Sequence, residues 1–226
     1  MRFGHLLVIA LALTLLAVGA QAGTYSYTGT TPVAIPDDGS GSLPASLSIT
    51  VPDSYPVASV AVSLTLTHSS VGDLIATLTK AGATPVTVYL FRLVGSTATP
   101  PESFPGDDDN LNGTYVFADS AAAGLRSVVQ LEIGDDHDVP VGTYRATDNT
   151  FTGTEPPVSL NSAFGGMDVG GTWTLAIKDP FDDYTGQVTA FSLEITALPE
   201  PGLALTALAT GGLLAVRRRR SSEILP

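Results

Sequence analysis

Ala58-Ser59-Val60-Ala61-Val62-Ser63-Leu64-Thr65-Leu66-Thr67-His68 is the stretch on which the fold turns. Val60, Val62, Leu64 and Leu66 share one parity, while Ala61, Ser63, Thr65 and Thr67 share the other. Successive side chains of a strand point to opposite faces, so a period of two places the whole aliphatic set on one buried side. An amphipathic helix requires a period near 3.6, which this run lacks. The same alternation recurs in Leu74-Ala76-Leu78, Val86-Val88-Leu90, Tyr115-Phe117 and Trp173-Leu175-Ile177. Residues 80–84, containing Ala81-Gly82-Ala83, read as a hairpin connection between two of these strands. Thr and β-branched residues dominate, Gly and Pro punctuate at short intervals, and no helical stripe persists for three turns. The pattern predicts an all-β domain, an antiparallel β-sandwich. In the last strand Val188 and Ala190 stand on one parity and Phe191, Leu193 and Ile195 on the other. One extra residue near Ala190-Phe191, a β-bulge, restores the facing; a strand covered on both faces is the other reading.

Both chain ends read as targeting devices. Arg2 is followed by an apolar run, Leu6 to Val18, closing on Ala20-Gln21-Ala22. A charged start, a short apolar middle and an A-x-A end are the parts of a secretory signal, which predicts cleavage by signal peptidase after Ala22. The run falls short of the about 20 residues of a membrane span. At the other end Pro199-Glu200-Pro201 precedes an apolar segment, Gly202 to Val216, and the cluster Arg217, Arg218, Arg219 and Arg220. Four arginines behind an apolar segment hold that end in the cytoplasm, so residues 199–220 are expected to anchor the domain outside, with 221–226 as a cytoplasmic tail. The order Pro-Glu-Pro, apolar segment, arginine cluster resembles the PEP-CTERM sorting signal. That resemblance implies a bacterial envelope protein cut near Pro199-Glu200-Pro201 by an exosortase, membrane-anchored first and at the surface or extracellular afterwards.

Residues 23–198 carry five basic side chains, Lys80, Arg92, Arg126, Arg145 and Lys178, against twenty acidic ones, a formal net charge of −15; the whole chain stands at −12. Phosphate backbones need a basic face, so nucleic acid is excluded as a partner. There is no cysteine, which excludes a disulfide framework, a thiol nucleophile and a Cys-based zinc site. Two acidic loops stand out: residues 95–112, with Asp107-Asp108-Asp109-Asn110, and 134–141, with Asp135-Asp136-His137-Asp138. Calcium takes several oxygen ligands from flexible loops. Asp107 to Asn110 offer such a set, and Asp179, Asp182 and Asp183 are the candidate metal ligands; neither run has EF-hand spacing, and solvated surface charge is the competing reading of both.

Two blocks resemble the P-domain, or Homo B domain, of proprotein convertases and related bacterial subtilases. The first is Leu66-Thr67-His68-Ser69-Ser70-Val71-Gly72-Asp73-Leu74 with Ala76-Thr77-Leu78 and the Gly82 turn. The second runs from Thr150-Phe151-Thr152-Gly153 through Leu160 to Phe164 and Gly170-Gly171-Thr172-Trp173-Thr174-Leu175. It continues to Asp179, Asp183, Thr185-Gly186 and Phe191-Ser192-Leu193. Between them Asp119 fits the acidic position that follows the family's aromatic strand. The likeness spans most of 63–196 and is weakest through 121–141. It implies a jelly-roll, galactose-binding-like accessory domain of the kind that sits beside a subtilisin-type protease.

No protease accompanies it here. A triad needs a histidine oriented by a carboxylate and reaching a serine, and His68 and His137 lie in no subtilase-like segment, while His5 leaves with the signal. His68 with Asp73 could form a general-base pair; a strand-end histidine bonded into the 69–73 turn is the plainer reading. The neighbouring pairs Asp107-Asp108, Asp135-Asp136 and Asp182-Asp183 have no glycosidase arrangement. The expected function is a non-catalytic binding or structural module of the envelope or matrix, contacting an exopolysaccharide or an envelope protein. The alternative is an accessory domain for a separately encoded subtilisin-like serine endopeptidase.

Overall fold

A computed structural model describes residues 22–37, 39, 41–97, 106–129 and 137–199. Gly23–Leu198 forms one compact unit. The apolar run of the signal, Glu200, Pro201, the cluster Arg217 to Arg220, Asp135 and Asp136 lie outside the described residues. No helix among the described residues is long and apolar enough to cross a membrane.

The elements run β1 (Thr24–Gly29), β2 (Val33–Ile35), β3 (Ala45–Val51), β4 (Val57–His68), β5 (Ile75–Lys80), β6 (Val86–Arg92), β7 (Leu111–Ala118), β8 (Gly142–Tyr144), α1 (Leu160–Phe164), β9 (Gly171–Lys178) and β10 (Gly186–Ala197). One sheet has the order β1-β10-β4-β7-β8, with β2 also on β10, and the other β3-β9-β5-β6. Set aside the three-residue strands β2 and β8. The remaining eight, counted along the chain, then run 1-8-3-6 and 2-7-4-5. First pairs with last, second with seventh, third with sixth and fourth with fifth, always antiparallel. This is the ribbon of pairs that rolls into a jelly roll, and the domain is an all-β sandwich.

The two inner faces form the core. Val60, Val62, Leu64 and Leu66 of β4 are buried against Trp173, Leu175 and Ile177 of β9 and Val188, Phe191, Leu193 and Ile195 of β10. Each such side chain contributes about 1.5–3 kcal/mol on leaving water. The phase break in β10 is a bulge. Val188 opposes Leu66 and Ala190 opposes Thr65, so Thr189 is the extra residue, one position earlier than expected. Its hydroxyl donates to the Thr65 carbonyl at 3.2 Å.

One local expectation needs correction. Leu74 does not open a strand but closes the 3₁₀ turn Val71–Asp73, and β5 starts at Ile75. Gly72 in that turn is held by space: a Cβ there would lie 2.1 Å from the Asp107 nitrogen.

Candidate functional site

His68 closes β4, where the chain turns into Ser69–Asp73. Its Nε2 lies 3.0 Å from Asp179 Oδ2, and its Nδ1 lies 2.8 Å from the Ser70 carbonyl and 3.2 Å from the Ser70 amide nitrogen. Both partners of the pair have fully buried side chains. Asp179 follows β9, and its Oδ1 accepts from Phe181 N at 3.1 Å. The pair therefore ties the end of β4 to the connection between β9 and β10. A base so committed reaches no substrate, and the partner of His68 is Asp179 rather than Asp73.

Asp73 stands beside this pair, 1% exposed, with Oδ1 buried and lacking any hydrogen-bond partner. Burial, chiefly, pushes its carboxyl up to about 6; the charges of Asp179 and Asp37 push the same way, opposed by a Ser70 hydrogen bond and by His68. A folded-state value raised from 3.8 means that stability is highest below that ordinary value and is lost as pH rises through about 6. The cost of ionisation is of the order of 3 kcal/mol at most. Asp73→Asn should remove this pH dependence, so the variant gains on wild type between pH 4 and pH 8. Parallel stability-against-pH curves for the two proteins would refute the assignment.

The acidic loops are not separate solvated segments. Asn110 N donates to the His137 carbonyl at 2.6 Å, and Val139 N donates to the Asn110 carbonyl at 2.8 Å. Asp109 is buried and its Oδ1 accepts from His137 N at 3.2 Å, with His137 Nδ1 3.8 Å away. Gly72 N donates to the Asp107 carbonyl and Gly106 N to the Gly72 carbonyl. Burial, with the nearby charges of Asp109 and Asp108, pushes the Asp107 carboxyl up to about 6, against a backbone hydrogen bond from Asp109. Asp119 also has a structural task. Its carboxylate accepts from Leu160 N at 3.0 Å and Asn161 N at 3.1 Å, and from the Ser159 hydroxyl at 2.6 Å, capping α1 from the end of β7.

Among the described residues no three histidine or carboxylate groups are arranged to hold a metal ion. Of the candidate ligands, Asp179 has both oxygens engaged. Asp182 sits against Gly39, and Asp183 is exposed in the left-handed region at φ 97°. Asp179, Asp182 and Asp183 therefore predict equal melting temperatures in calcium and in chelator at matched ionic strength. A rise with calcium, from binding to the folded state alone, would show that they converge on a cation after all.

A half-open cavity of about 340 Å³ lies where the sequence offered no motif, lined by Ala123, Arg126, Arg145, Thr147, Glu155 and Pro157 among others. Arg126 stands on the 3₁₀ turn Leu125–Ser127. Arg145 N donates to the Ala123 carbonyl at 2.8 Å, which brings the segment after β8 alongside that turn. Thr147 and Pro157 form an antiparallel bridge that presents Glu155. The Glu155 side chain is 2% exposed, and its Oε1 lies 3.6 Å from Arg126 Nη1, beyond hydrogen-bonding distance. Burial raises the Glu155 carboxyl above the ordinary value, opposed by the Gly95 amide, the Arg126 charge and the Thr147 hydroxyl. The two arginines stand nineteen positions apart in the chain, and the return of the chain after β8 brings both to the lining of one cavity.

No family model matches the chain, and no curated protein matches it. Among solved structures it is similar to the serine protease of Aeromonas sobria, at 17% identity over 79% of this chain and 27% of that one, TM-score 0.44. The complex of that protease with its chaperone gives 16% identity over 78% of this chain and 27% of that one, again at TM-score 0.44. The chain thus spans about a quarter of the length of these proteins, and the likeness carries no functional inference.

Proposed function

We propose that this chain is a non-catalytic binding module, exported and held at the cell envelope, whose ligand is an exopolysaccharide or an envelope protein. The observation that carries this reading is the half-open cavity at Arg126, Arg145 and Glu155, a concavity with a few convergent polar groups. The groups that resemble acid–base machinery, His68 and Asp73, are buried away from it. In this reading signal peptidase acts after Ala22, an exosortase acts near Pro199-Glu200-Pro201, and the segment ending in Arg217 to Arg220 holds the membrane until then.

The P-domain-like blocks around His68–Asp73 and Trp173 favour a second reading, an accessory domain working with a separately encoded subtilisin-like endopeptidase. A glycan array and a peptidase assay, each with and without such a protease, separate the two. Glycan binding with no hydrolysis by the chain supports the first reading. Turnover by the purified chain that is lost on changing His68 or Asp73 would sink both.

A further inference from the structure

We propose that the cavity at Arg126 and Arg145 is a subsite for a carboxylate-bearing sugar, a uronic acid unit of an acidic polysaccharide; this rests on the reading of the chain as a binding module. Charge is the first ground. The domain has five basic side chains against twenty acidic ones, yet two of the five line this one cavity. In a molecule that repels anions at long range, paired guanidinium groups in a concavity create a local site for one.

Donor supply is the second ground. Each guanidinium has five N–H donors. Arg145 uses Nη1 on the Asp119 and Ala121 carbonyls, at 2.8 and 3.4 Å, and its Nε is buried without a partner. Arg126 Nη1 is likewise buried without a hydrogen-bond partner. Glu155 meets this demand only in part: it pairs with Arg126 at 3.6 Å, beyond hydrogen-bonding distance, while Oε1 accepts from Gly95 N at 2.9 Å and Oε2 from the Thr147 hydroxyl at 3.4 Å. The Arg126 side chain as a whole is 22% exposed and lines the cavity, so the rest of its guanidinium can meet a ligand there, and a carboxylate is the acceptor that a planar guanidinium fits best.

Size and lining supply the third. A volume of about 340 Å³ is at the low end for ligand sites, suited to one ring rather than a run of chain. The hydroxyls of Ser127 and Thr147 beside the arginines are acceptors for hydroxyl groups, and Ala122, Ala123 and Pro157 offer apolar surface to the C–H face of a ring. An aspartate or glutamate side chain brings a carboxylate but no hydroxyls to use those oxygens.

The test is calorimetric titration of the full chain with methyl glucuronide and methyl galacturonide against methyl glucoside and methyl galactoside. A uronide should bind at least about tenfold more tightly than its neutral counterpart, the usual weight of a charge-assisted hydrogen bond. Arg126→Gln should weaken that binding by a similar factor, and Glu155→Gln, which frees Arg126 of its competing charge, should strengthen it. Arg145→Gln also loses two carbonyl contacts, so its melting curve is measured alongside. Equal binding of neutral and acidic sugars overturns the carboxylate assignment while leaving the binding module intact. Binding of an acetylated Asp-Glu peptide and of no sugar overturns it in favour of a protein partner. A blank glycan array with no titration signal defeats the binding reading itself.

Discussion

Trp173→Ala is expected to destabilise the domain by about 3–5 kcal/mol, the cost of emptying a buried aromatic site. Trp173 sits in β9 opposite Ile49 of β3 and Lys80 of β5, fully buried. The Phe164 ring of α1 lies 4.9 Å away and Lys80 Nζ 5.7 Å from the indole. The indole Nε1 donates to the Val169 carbonyl at 2.9 Å. Alanine therefore loses the ring's packing, leaves a buried carbonyl without its donor and takes the aromatic face from Lys80, whose ammonium also holds the Gly170 carbonyl at 2.8 Å. Trp173→Phe keeps a ring without the donor and should recover most of the loss. Urea unfolding followed by circular dichroism measures both variants. The wild type supplies an independent check, since this is its single tryptophan: native fluorescence typical of a water-exposed indole would end the claim.

How much of this was legible beforehand depends on the range of the interaction. The parity of Val60 to Leu66 and of Trp173 to Ile177 is a local consequence of strand geometry, so β4 and β9 were readable residue by residue. The phase slip in β10 was readable for the same reason, off by one position from Thr189 because parity locates a bulge only to the residues flanking it. β3 was missed although Ala45, Leu47, Ile49 and Val51 alternate with exposed residues; the signal was present and not used. What the sequence concealed lies at long range. His68 finds Asp179 across 111 positions rather than Asp73 nearby. The two acidic loops meet through backbone groups of Asn110, His137 and Val139, which have no compositional signature. Arg126, Arg145 and Glu155 converge without a motif, and of the three only Arg126 lies in the stretch 121–141, where the family resemblance is weakest. The one available hint was arithmetic: in so acidic a domain, each of five basic side chains needs a reason to be where it is.

His68→Ala should cost about 3–5 kcal/mol, the loss on emptying a buried ring site and leaving the buried Asp179 carboxylate without its partner. The pair is fully buried with 3.0 Å between Nε2 and Oδ2. Removing the ring leaves Asp179 with only the Phe181 amide at Oδ1, beside Asp73, whose raised carboxyl already registers the charges of Asp179 and Asp37. Space adds to the constraint. A Cβ on Gly186, the first residue of β10, would lie 2.2 Å from the Thr67 carbonyl and 2.6 Å from His68 Cδ2, so the ring fills a site built to its outline. Asp179→Ala should cost a similar amount, because it strands the imidazole and orphans the Phe181 amide. If one pair carries both losses, the double variant His68→Ala/Asp179→Ala must lose much less than their sum. The deficit of His68→Ala should also shrink as pH falls through about 6, where Asp73 takes up its proton and one charge leaves the cluster. The check is a double-mutant cycle by urea unfolding at pH 5 and pH 8. Additive losses, equal at the two pH values, would mean that His68 is held by packing alone and that its contact with Asp179 contributes nothing to the fold.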